Sequence, residues 1–274
     1  MKRFLYLFSI VLITLFFYGC GNIINNNENS VIPERESPST TASNKEVFVN
    51  IDDQFVLPVL LFHHIGNPSS DVNENNKIWY VSEDKFEDIL EYIKKIGYND
   101  LFTEEAVEYI NRGVLPEKAI IISFDDGAKD FYDKAWPILR KYKIKSSVYL
   151  MTGVKGDNWL SKDQIKELSD SGLVEFGSHT RYHEYLTRVD MQTARAELGD
   201  SKKYLDDLLD KEIKIISYPF GLYNQDIIEM AKGLGYRAGL TIKSGSWQSK
   251  ENLFEIRRNI ITNNTNIENL FKDL

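Results

Sequence analysis

Short apolar runs alternate along the chain with segments whose apolar residues recur every three or four positions. The runs are typical of strands buried in a sheet, and the wider spacing is typical of amphipathic helices. Pro58 cannot donate a ladder hydrogen bond, so it predicts an edge position or a bulge in the first run. The pattern predicts strands at 55–62, 119–124, 146–151, 174–178, 213–218, 237–242 and 254–262.

Helices are predicted between these strands from apolar spacing and capping residues. Ser82 and Thr103 are placed to cap two of them, and Ser161 with Gln164 has the spacing of a capping box. Pro137 predicts a kink, because proline lacks the amide hydrogen that a helix interior uses. The predicted helices cover 82–96, 103–112, 130–142, 161–171, 190–209 and 225–234.

The alternation of strands with helices predicts an α/β fold with a parallel sheet. About seven such units favour a distorted (β/α) barrel over a doubly wound sheet. Active-site residues of these barrels lie at the carboxyl ends of the strands. The residues that directly follow each predicted strand are therefore the first candidates for chemistry.

Residues 1–20 have the composition of an export signal. Two basic residues precede an apolar core at 4–18, which is short for a membrane-spanning helix and suits a signal peptide. The core ends at Gly19-Cys20, which resembles the bacterial lipoprotein signal and makes Cys20 the expected lipidated residue. A simple signal peptide with an incidental cysteine is the alternative.

The next segment, 21–50, is rich in Asn, Ser, Thr, Glu and Pro and predicts a flexible tether. The globular domain is expected at 51–274. The whole chain is therefore expected to be exported and lipid-anchored to the outer face of the bacterial cell membrane. Its net charge of −8 argues against nucleic-acid binding, and we expect a monomer.

Polar motifs follow four of the predicted strands: HH after 55–62, DDG after 119–124, HTRYH after 174–178 and PFG after 213–218. All four histidines of the chain lie in these tails, whereas a random scatter would leave some on helix surfaces. The four tails are expected to meet at one end of the barrel.

His179 and His183 are four residues apart, which on a helical turn would place both imidazoles on one face. Two histidines with one carboxylate, and with open positions left over, form a hydrolytic metal site. The adjacent Asp125 and Asp126 supply the carboxylate, because Gly127 lets the backbone turn away after the strand. One acid can then bind a metal while the other accepts a proton.

The motifs SFDDG, HTRYH and YPFG together resemble the polysaccharide deacetylases, carbohydrate esterase family 4 with its NodB-homology domain. The resemblance implies a distorted (β/α) barrel and a divalent cation, preferably zinc, with cobalt or nickel as alternatives. It implies that Asp125 is the general base and that the metal ligands are Asp126, His179 and His183. The YPFG turn, with Tyr218 and Phe220, would supply a backbone N–H to the oxyanion.

Two departures from the usual family pattern change the expected site. Ser217 stands where an arginine usually orients the catalytic acid, so Arg257 or Arg258 is expected to replace it. The late histidine motif of the family is missing, and LTIKSG (240–245) occupies its place. The early FHHIG resembles the circularly permuted deacetylases of biofilm poly-N-acetylglucosamine, which implies His63 as the general acid and His64 as a supporting residue.

The expected function is metal-dependent removal of N-acetyl groups from an extracellular polysaccharide, with poly-β-1,6-N-acetylglucosamine as the preferred substrate. Peptidoglycan and chitin oligosaccharides are alternatives within the same enzyme class. A glycan-binding surface lipoprotein without catalysis is the alternative of another class. Aromatic side chains are expected to line the sugar groove, with the candidates Trp159, Tyr182, Tyr223 and Trp247.

Overall fold

The apolar runs form a parallel sheet in the computed structural model, which describes residues 47–272. The predicted signal peptide, Cys20 and most of the tether lie outside the described residues. Residues 48–50, assigned above to the tether, instead pair as a strand with residues 114–116. Among the described helices, none combines the length and apolarity that crossing a bilayer requires.

The strands are numbered in chain order. They are β1 (Phe48–Asn50), β2 (Gln54–Val56), β3 (Val59–Phe62), β4 (His64–Ile65), β5 (Tyr80–Val81), β6 (Asn99–Leu101), β7 (Val114–Pro116), β8 (Ala119–Phe124), β9 (Ser146–Leu150), β10 (Val174–Ser178), β11 (Ile215–Ser217), β12 (Ala238–Leu240), β13 (Trp247–Ser249) and β14 (Asn259–Ile260). Most are short, as expected for strands of a small barrel.

The α-helices lie between the strands, as the spacing of apolar residues predicted. They are α1 (Glu83–Lys95), α2 (Thr103–Asn111), α3 (Trp136–Tyr142), α4 (Lys162–Asp170), α5 (Met191–Leu209), α6 (Gln225–Gly233) and α7 (Ile267–Phe271). Ser82 caps α1, and Ser161 forms the predicted capping box with Gln164 at the start of α4.

The central sheet is parallel and has the order β12–β11–β10–β9–β8–β3–β14, with β6 pairing beside the first half of β8. Ile256 forms a parallel bridge with Leu240 of β12, and β14 then pairs with Leu60 and Leu61 of β3. The segment 256–260 therefore joins the two ends of the sheet. The predicted distorted (β/α) barrel is confirmed.

Strand alternation sorts the apolar side chains into two layers. One cluster, which includes Leu60, Ile122 and Val148, packs against the surrounding helices. The other, which includes Val59, Ile121 and Tyr149, fills the barrel and continues onto α2. Because neighbouring residues of a strand point to opposite faces, each strand contributes side chains to both layers.

Several predicted boundaries were wrong. The run at 55–62 is divided at Pro58 into β2 and β3, because proline interrupts the ladder. The predicted strand at 254–262 is reduced to β14, since residues 250–255 form a 3-10 helix. Strands β11 and β12 are also shorter than the predicted 213–218 and 237–242.

Two helix starts also differ from the prediction. Thr103 is the first residue of α2 and does not cap it; the carboxylate of Glu105 instead accepts from the Phe102 N–H at 3.0 Å. The predicted helix at 130–142 begins with a π-helical turn, Phe131–Ala135, and becomes α3 only from Trp136. Pro137 therefore lies in the first turn of α3, where its missing amide hydrogen costs little.

Glu175 of β10 is a buried acid that ties α2 to the barrel. Its carboxylate accepts from the Thr103 N–H at 2.6 Å and from the Ser147 hydroxyl at 2.6 Å. Burial outweighs these hydrogen bonds and raises the pKa of Glu175 to about 7. The folded protein therefore holds this proton at a pH where the unfolded chain has lost it.

We expect Glu175→Gln to flatten the pH dependence of stability. The unfolded carboxyl ionises near its ordinary pKa of 4.5, whereas the folded one ionises near about 7. The free energy of unfolding should therefore fall as the pH rises through that window. Thermal unfolding from pH 4.5 to 8 should show the fall in the parent protein and in the exposed control Glu108→Gln, but not in Glu175→Gln. Parallel curves for all three proteins would contradict this account.

Candidate active site

Three strands are each followed directly by an inward-facing residue at the same end of the barrel. His63 follows β3, Asp125 follows β8 and His179 follows β10. The residues before them face outward: Phe62 and Phe124 belong to the outer cluster, and the Ser178 hydroxyl lies 2.8 Å from that of Ser201 on α5. The alternation of each strand thus continues one residue beyond its end.

Asp125 obeys this alternation. The backbone departs from extended geometry only at Asp126, with φ of 72°, and at Gly127, with φ of 81°. A left-handed φ is unusual for a residue other than glycine and is commonly found at functional sites. The bend brings the Asp126 carboxylate back toward His179, with its Oδ1 3.4 Å from the Nε2.

Arg258 holds Asp125 through a paired contact inside the barrel. Its Nη1 donates to Oδ1 of Asp125 at 2.8 Å and its Nη2 to Oδ2 at 2.7 Å. The guanidinium also donates to the Thr241 carbonyl and to the Ser217 hydroxyl. Of the two expected arginines, Arg258 makes this contact, while Arg257 lies in a surface groove that also includes Trp247.

The charges around Asp125 keep it ionised. Burial alone would raise the pKa of Asp125, but the positive charges of Arg258 and His179 outweigh burial and hold that pKa well below its usual range. The hydroxyl of Ser217 adds a hydrogen bond to Oδ2 at 3.1 Å. Asp125 is therefore a fully buried carboxylate that is ionised at neutral pH.

Asp126, His179 and His183 form a cluster that fits a divalent cation. One ligand atom from each side chain lies within 4.8 Å of the other two. The Nδ1 of His179 lies 2.8 Å from the Ser217 carbonyl, which can only accept, so Nδ1 donates and Nε2 faces the cluster. This orientation is common for metal-binding histidines, whose second nitrogen is held by a backbone carbonyl.

The two histidines differ in charge preference. Burial and the neighbouring His179 lower the pKa of His183 to about 4, so its imidazole is neutral and carries a free lone pair. Burial also opposes the charged form of His179, but Asp125 and Asp126 outweigh it and raise the pKa of His179. Two histidines and one carboxylate are a zinc-type donor set with open positions.

The HTRYH segment is not helical, contrary to the prediction. Thr180 and His183 have φ values of 63° and 61°, and the His183 N–H donates to the Thr180 hydroxyl at 3.1 Å. The carboxylate of Glu197 on α5 accepts from the N–H groups of Arg181 and Tyr182. The two imidazoles are therefore brought to a ring separation of 4.7 Å by a turn that Glu197 stabilises, and not by helical spacing.

His63 lies beside the carboxylates with one nitrogen unpaired. Its ring packs against Trp79 at 4.4 Å, and its buried Nδ1 has no hydrogen-bond partner among residues 47–272. Burial lowers the pKa of His63 even though Asp125 and Asp126 favour its charged form. His64 points elsewhere, because its Nδ1 lies 2.7 Å from Asp130.

The YPFG turn borders the same cleft. Phe220 has φ of 57°, and its ring packs 4.4 Å from that of His183. The N–H groups of Gly221 and Leu222 donate to the carbonyls of Tyr218 and Pro219 within this turn. The Phe220 N–H makes no such backbone hydrogen bond among residues 47–272. The side chain of Tyr218 is buried with its hydroxyl against Gly239, although the residue also borders the cleft.

These residues line a cleft of about 630 Å³. Its aromatic walls are Trp79, Tyr80 and Phe220, and the first two were missed by the sequence analysis. Their one sequence signal is the apolar IWYV that ends a polar loop. The four aromatic residues expected to line the groove lie outside this cleft, in other surface grooves or against other elements: Trp159, Tyr182, Tyr223 and Trp247.

Comparison with known proteins agrees with this geometry. The sequence profile of the polysaccharide deacetylase family matches residues 112–239. YxkH of Bacillus subtilis (strain 168), provisionally named a polysaccharide deacetylase, is 30% identical over 204 residues, which cover 74% of this chain and 70% of that protein. The chain belongs to the polysaccharide deacetylase family.

Two further members of this deacetylase family have names that describe an activity. The poly-beta-1,6-N-acetyl-D-glucosamine N-deacetylase of Staphylococcus aureus (strain MRSA252) is 30% identical over 210 residues, which cover 72% of each chain. The structure of the Streptococcus pyogenes deacetylase PplD in complex with acetate matches with a TM-score of 0.73 and 32% identity, covering 80% of this chain and 97% of that one. The sequence-derived family assignment is confirmed.

We expect Arg258→Met to destabilise the fold strongly. Removing the guanidinium leaves the buried charge of Asp125 without a partner, a change that typically costs about 3–5 kcal/mol. Arg257→Met is the matched control, because Arg257 is the adjacent arginine and lies in a surface groove. Chemical denaturation should separate the two variants, and equal stability of both would contradict the assigned contact.

Proposed function

We propose that this deacetylase removes N-acetyl groups from poly-β-1,6-N-acetylglucosamine in a metal-dependent reaction. The observation that carries the proposal is the meeting of His63, Asp125 and the Asp126–His179–His183 cluster in one cleft. Base, acid and metal ligands are the three components that amide hydrolysis at a metal site requires. The name of the similar Staphylococcus aureus protein supports the choice of polymer.

The metal ligands in this scheme are Asp126, His179 and His183. A divalent cation held there, preferably zinc, would supply Lewis-acid chemistry by polarising the acetamide carbonyl and the attacking water. Asp125 lies 3.9 Å from the Nε2 of His179 and is ionised, so it accepts the proton of that water. Arg258 keeps both oxygens of this base in position.

His63 is the proposed general acid. In its charged form, which Asp125 and Asp126 favour against the effect of burial, it donates a proton to the sugar nitrogen as the carbon–nitrogen bond breaks, because an unprotonated amine anion is a poor leaving group. The Phe220 N–H is the proposed donor to the oxyanion, a contact typically worth roughly 3–4 kcal/mol. The products are acetate and a free amino group on the polymer.

The location of the enzyme is part of the proposal. The apolar core at 4–18 and Gly19-Cys20 support export and lipid attachment at Cys20, followed by a tether. This arrangement would hold the cleft near the outer face of the cell membrane, where exported polysaccharide passes. Radiolabelled fatty acid should be incorporated into the parent chain and not into Cys20→Ser.

The test of the function is acetate release by the full-length, zinc-loaded protein from a panel of glycans. Release from β-1,6-linked N-acetylglucosamine oligomers above that from chitin oligomers and peptidoglycan supports the proposal. Faster release from either of the other polymers would reassign the substrate. Binding of glycan without any release would identify a non-catalytic surface lipoprotein.

Variants of the two adjacent acids should separate metal binding from turnover. Asp126→Ala and His179→Ala remove a ligand, so both should lose zinc and activity together. Asp125→Asn should keep zinc and lose roughly 10²–10⁴-fold in turnover, the usual contribution of a positioned proton acceptor. Elemental analysis with acetate release measures both properties, and a fully active Asp125→Asn protein refutes the base assignment.

His63→Ala should discriminate between amide and ester substrates. The variant should lose roughly 10²–10⁴-fold in kcat on an N-acetylated sugar, whose amine must be protonated to leave. It should lose far less on 4-nitrophenyl acetate, because nitrophenolate leaves without a proton. Equal losses on both substrates would show that His63 is not the general acid.

A further inference from the structure

A second histidine–aspartate pair lies in the cleft beside the proposed active site. His64 forms the short strand β4 with Ile65 and pairs with Tyr80 of β5. Because it directly follows the inward-facing His63, its side chain takes the other side of the chain. It still lines the cleft, with a quarter of its side chain exposed.

The ring of His64 is fixed by two contacts. Its Nδ1 lies 2.7 Å from Oδ2 of Asp130, a carboxylate that can only accept, so Nδ1 carries the hydrogen. Its face stacks on the ring of Tyr80 at 4.4 Å with an interplanar angle of 10°. In the neutral ring, Nε2 is therefore a hydrogen-bond acceptor whose direction is set before any ligand arrives.

The carboxylate of Asp130, which accepts the hydrogen bond from His64, is partly buried. It lies where the π-helical turn Phe131–Ala135 begins, five residues after the proposed base Asp125. Its Oδ1 is buried without a hydrogen-bond partner among residues 47–272. A salt bridge that only joined β4 to this turn would not require an imidazole open to the cleft.

The surroundings of His64 fit a sugar. Asn73 and Asn76 line the same cleft with side-chain amides, and Tyr80 adds an aromatic face. Sugar hydroxyl groups need acceptors as well as donors, and a neutral Nε2 is a directed acceptor. His63 and His64 both line this cleft, so His64 borders the space next to the sugar whose nitrogen would face His63.

We propose that His64 is a substrate-positioning residue. Its Nε2 accepts a hydrogen bond from a hydroxyl of the sugar unit that neighbours the one being deacetylated, and Asp130 and Tyr80 hold the ring in place. The inference rests on the proposed function, because it assigns a role within the same glycan cleft. It predicts that His64 contributes to binding of a chain of sugars and not to bond breaking.

The experiment compares two substrates in the full-length, zinc-loaded protein. One is a β-1,6-linked N-acetylglucosamine pentasaccharide, and the other is 4-nitrophenyl acetate, which has no neighbouring sugar. His64→Phe keeps an aromatic face for Tyr80 but removes the acceptor, and should raise KM for the pentasaccharide roughly tenfold, as for one lost hydrogen bond. The kcat values for both substrates should fall by much less.

Conservative and control variants complete the test. His64→Gln offers a carbonyl acceptor and should recover part of the lost affinity. Asp130→Asn should raise KM as well, because the amide can reverse the tautomer of His64. Asp133→Asn is the matched control, since it makes the same change at an exposed aspartate nearby.

Three results would overturn the positioning role. The first is an unchanged KM for the pentasaccharide in His64→Phe and in His64→Gln. The second is an equal loss of activity on both substrates together with a lower unfolding temperature, as expected of a structural salt bridge. The third is a collapse of kcat on the pentasaccharide alone at constant KM, which would make His64 the acid. A parent protein that cleaves the ester but no glycan would instead refute the proposed function.

Discussion

The buried salt bridge between Asp125 and Arg258 supports both the barrel and its chemistry. Arg258 belongs to the segment 256–260 that joins β12 to β3, and Asp125 directly follows β8 on the far side of β3. Removing two charges from water is unfavourable unless the geometry is good and the remaining donors are satisfied. Here the guanidinium donates to both carboxylate oxygens, to a carbonyl and to a hydroxyl. The segment that joins the two ends of the sheet thus also carries the guanidinium that keeps the proposed base ionised.

Ser217 connects this salt bridge to the candidate metal ligands. Its hydroxyl donates to Asp125 and accepts from Arg258, while its carbonyl accepts from Nδ1 of His179. The small side chain of Ser217 at the end of β11 leaves room for Arg258 beside Asp125. The proposed base Asp125 and the candidate metal ligand His179 are consequently both contacted by one residue.

Much of the fold and of the site could be predicted from local pattern. Apolar runs gave the long strands such as β8, and the polar tails that follow them gave Asp125, Asp126, His179 and His183. These residues could be predicted because strand alternation and strand ends are local properties of the sequence. The two-residue strands β4 and β5 could not be predicted, because they are too short to carry a period. For the same reason Trp79 and Tyr80 were missed as walls of the cleft.

Other features depended on contacts that no local pattern encodes. Of Arg257 and Arg258, the one that contacts Asp125 is the one whose side chain faces the barrel interior. Local pattern does not give that direction, because the backbone pairs with β12 at Ile256 and with β3 at Asn259. The HTRYH segment has helical spacing but forms a turn, because Glu197 on a distant helix holds its amides. Tertiary contacts override local preference in both places.

The early histidines follow from the same closure. In a barrel the first and last strands are neighbours, and here β3 and β14 pair directly. The proposed proton donor His63, which directly follows β3, therefore lies close to the last strand of the sheet. The alternation of this strand then divides the two histidines, since His63 turns toward Asp125 and Asp126 while His64 turns toward Asp130. Adjacent residues of one type thus enter different surroundings, and this divergence is the basis for proposing bond breaking for one and substrate binding for the other.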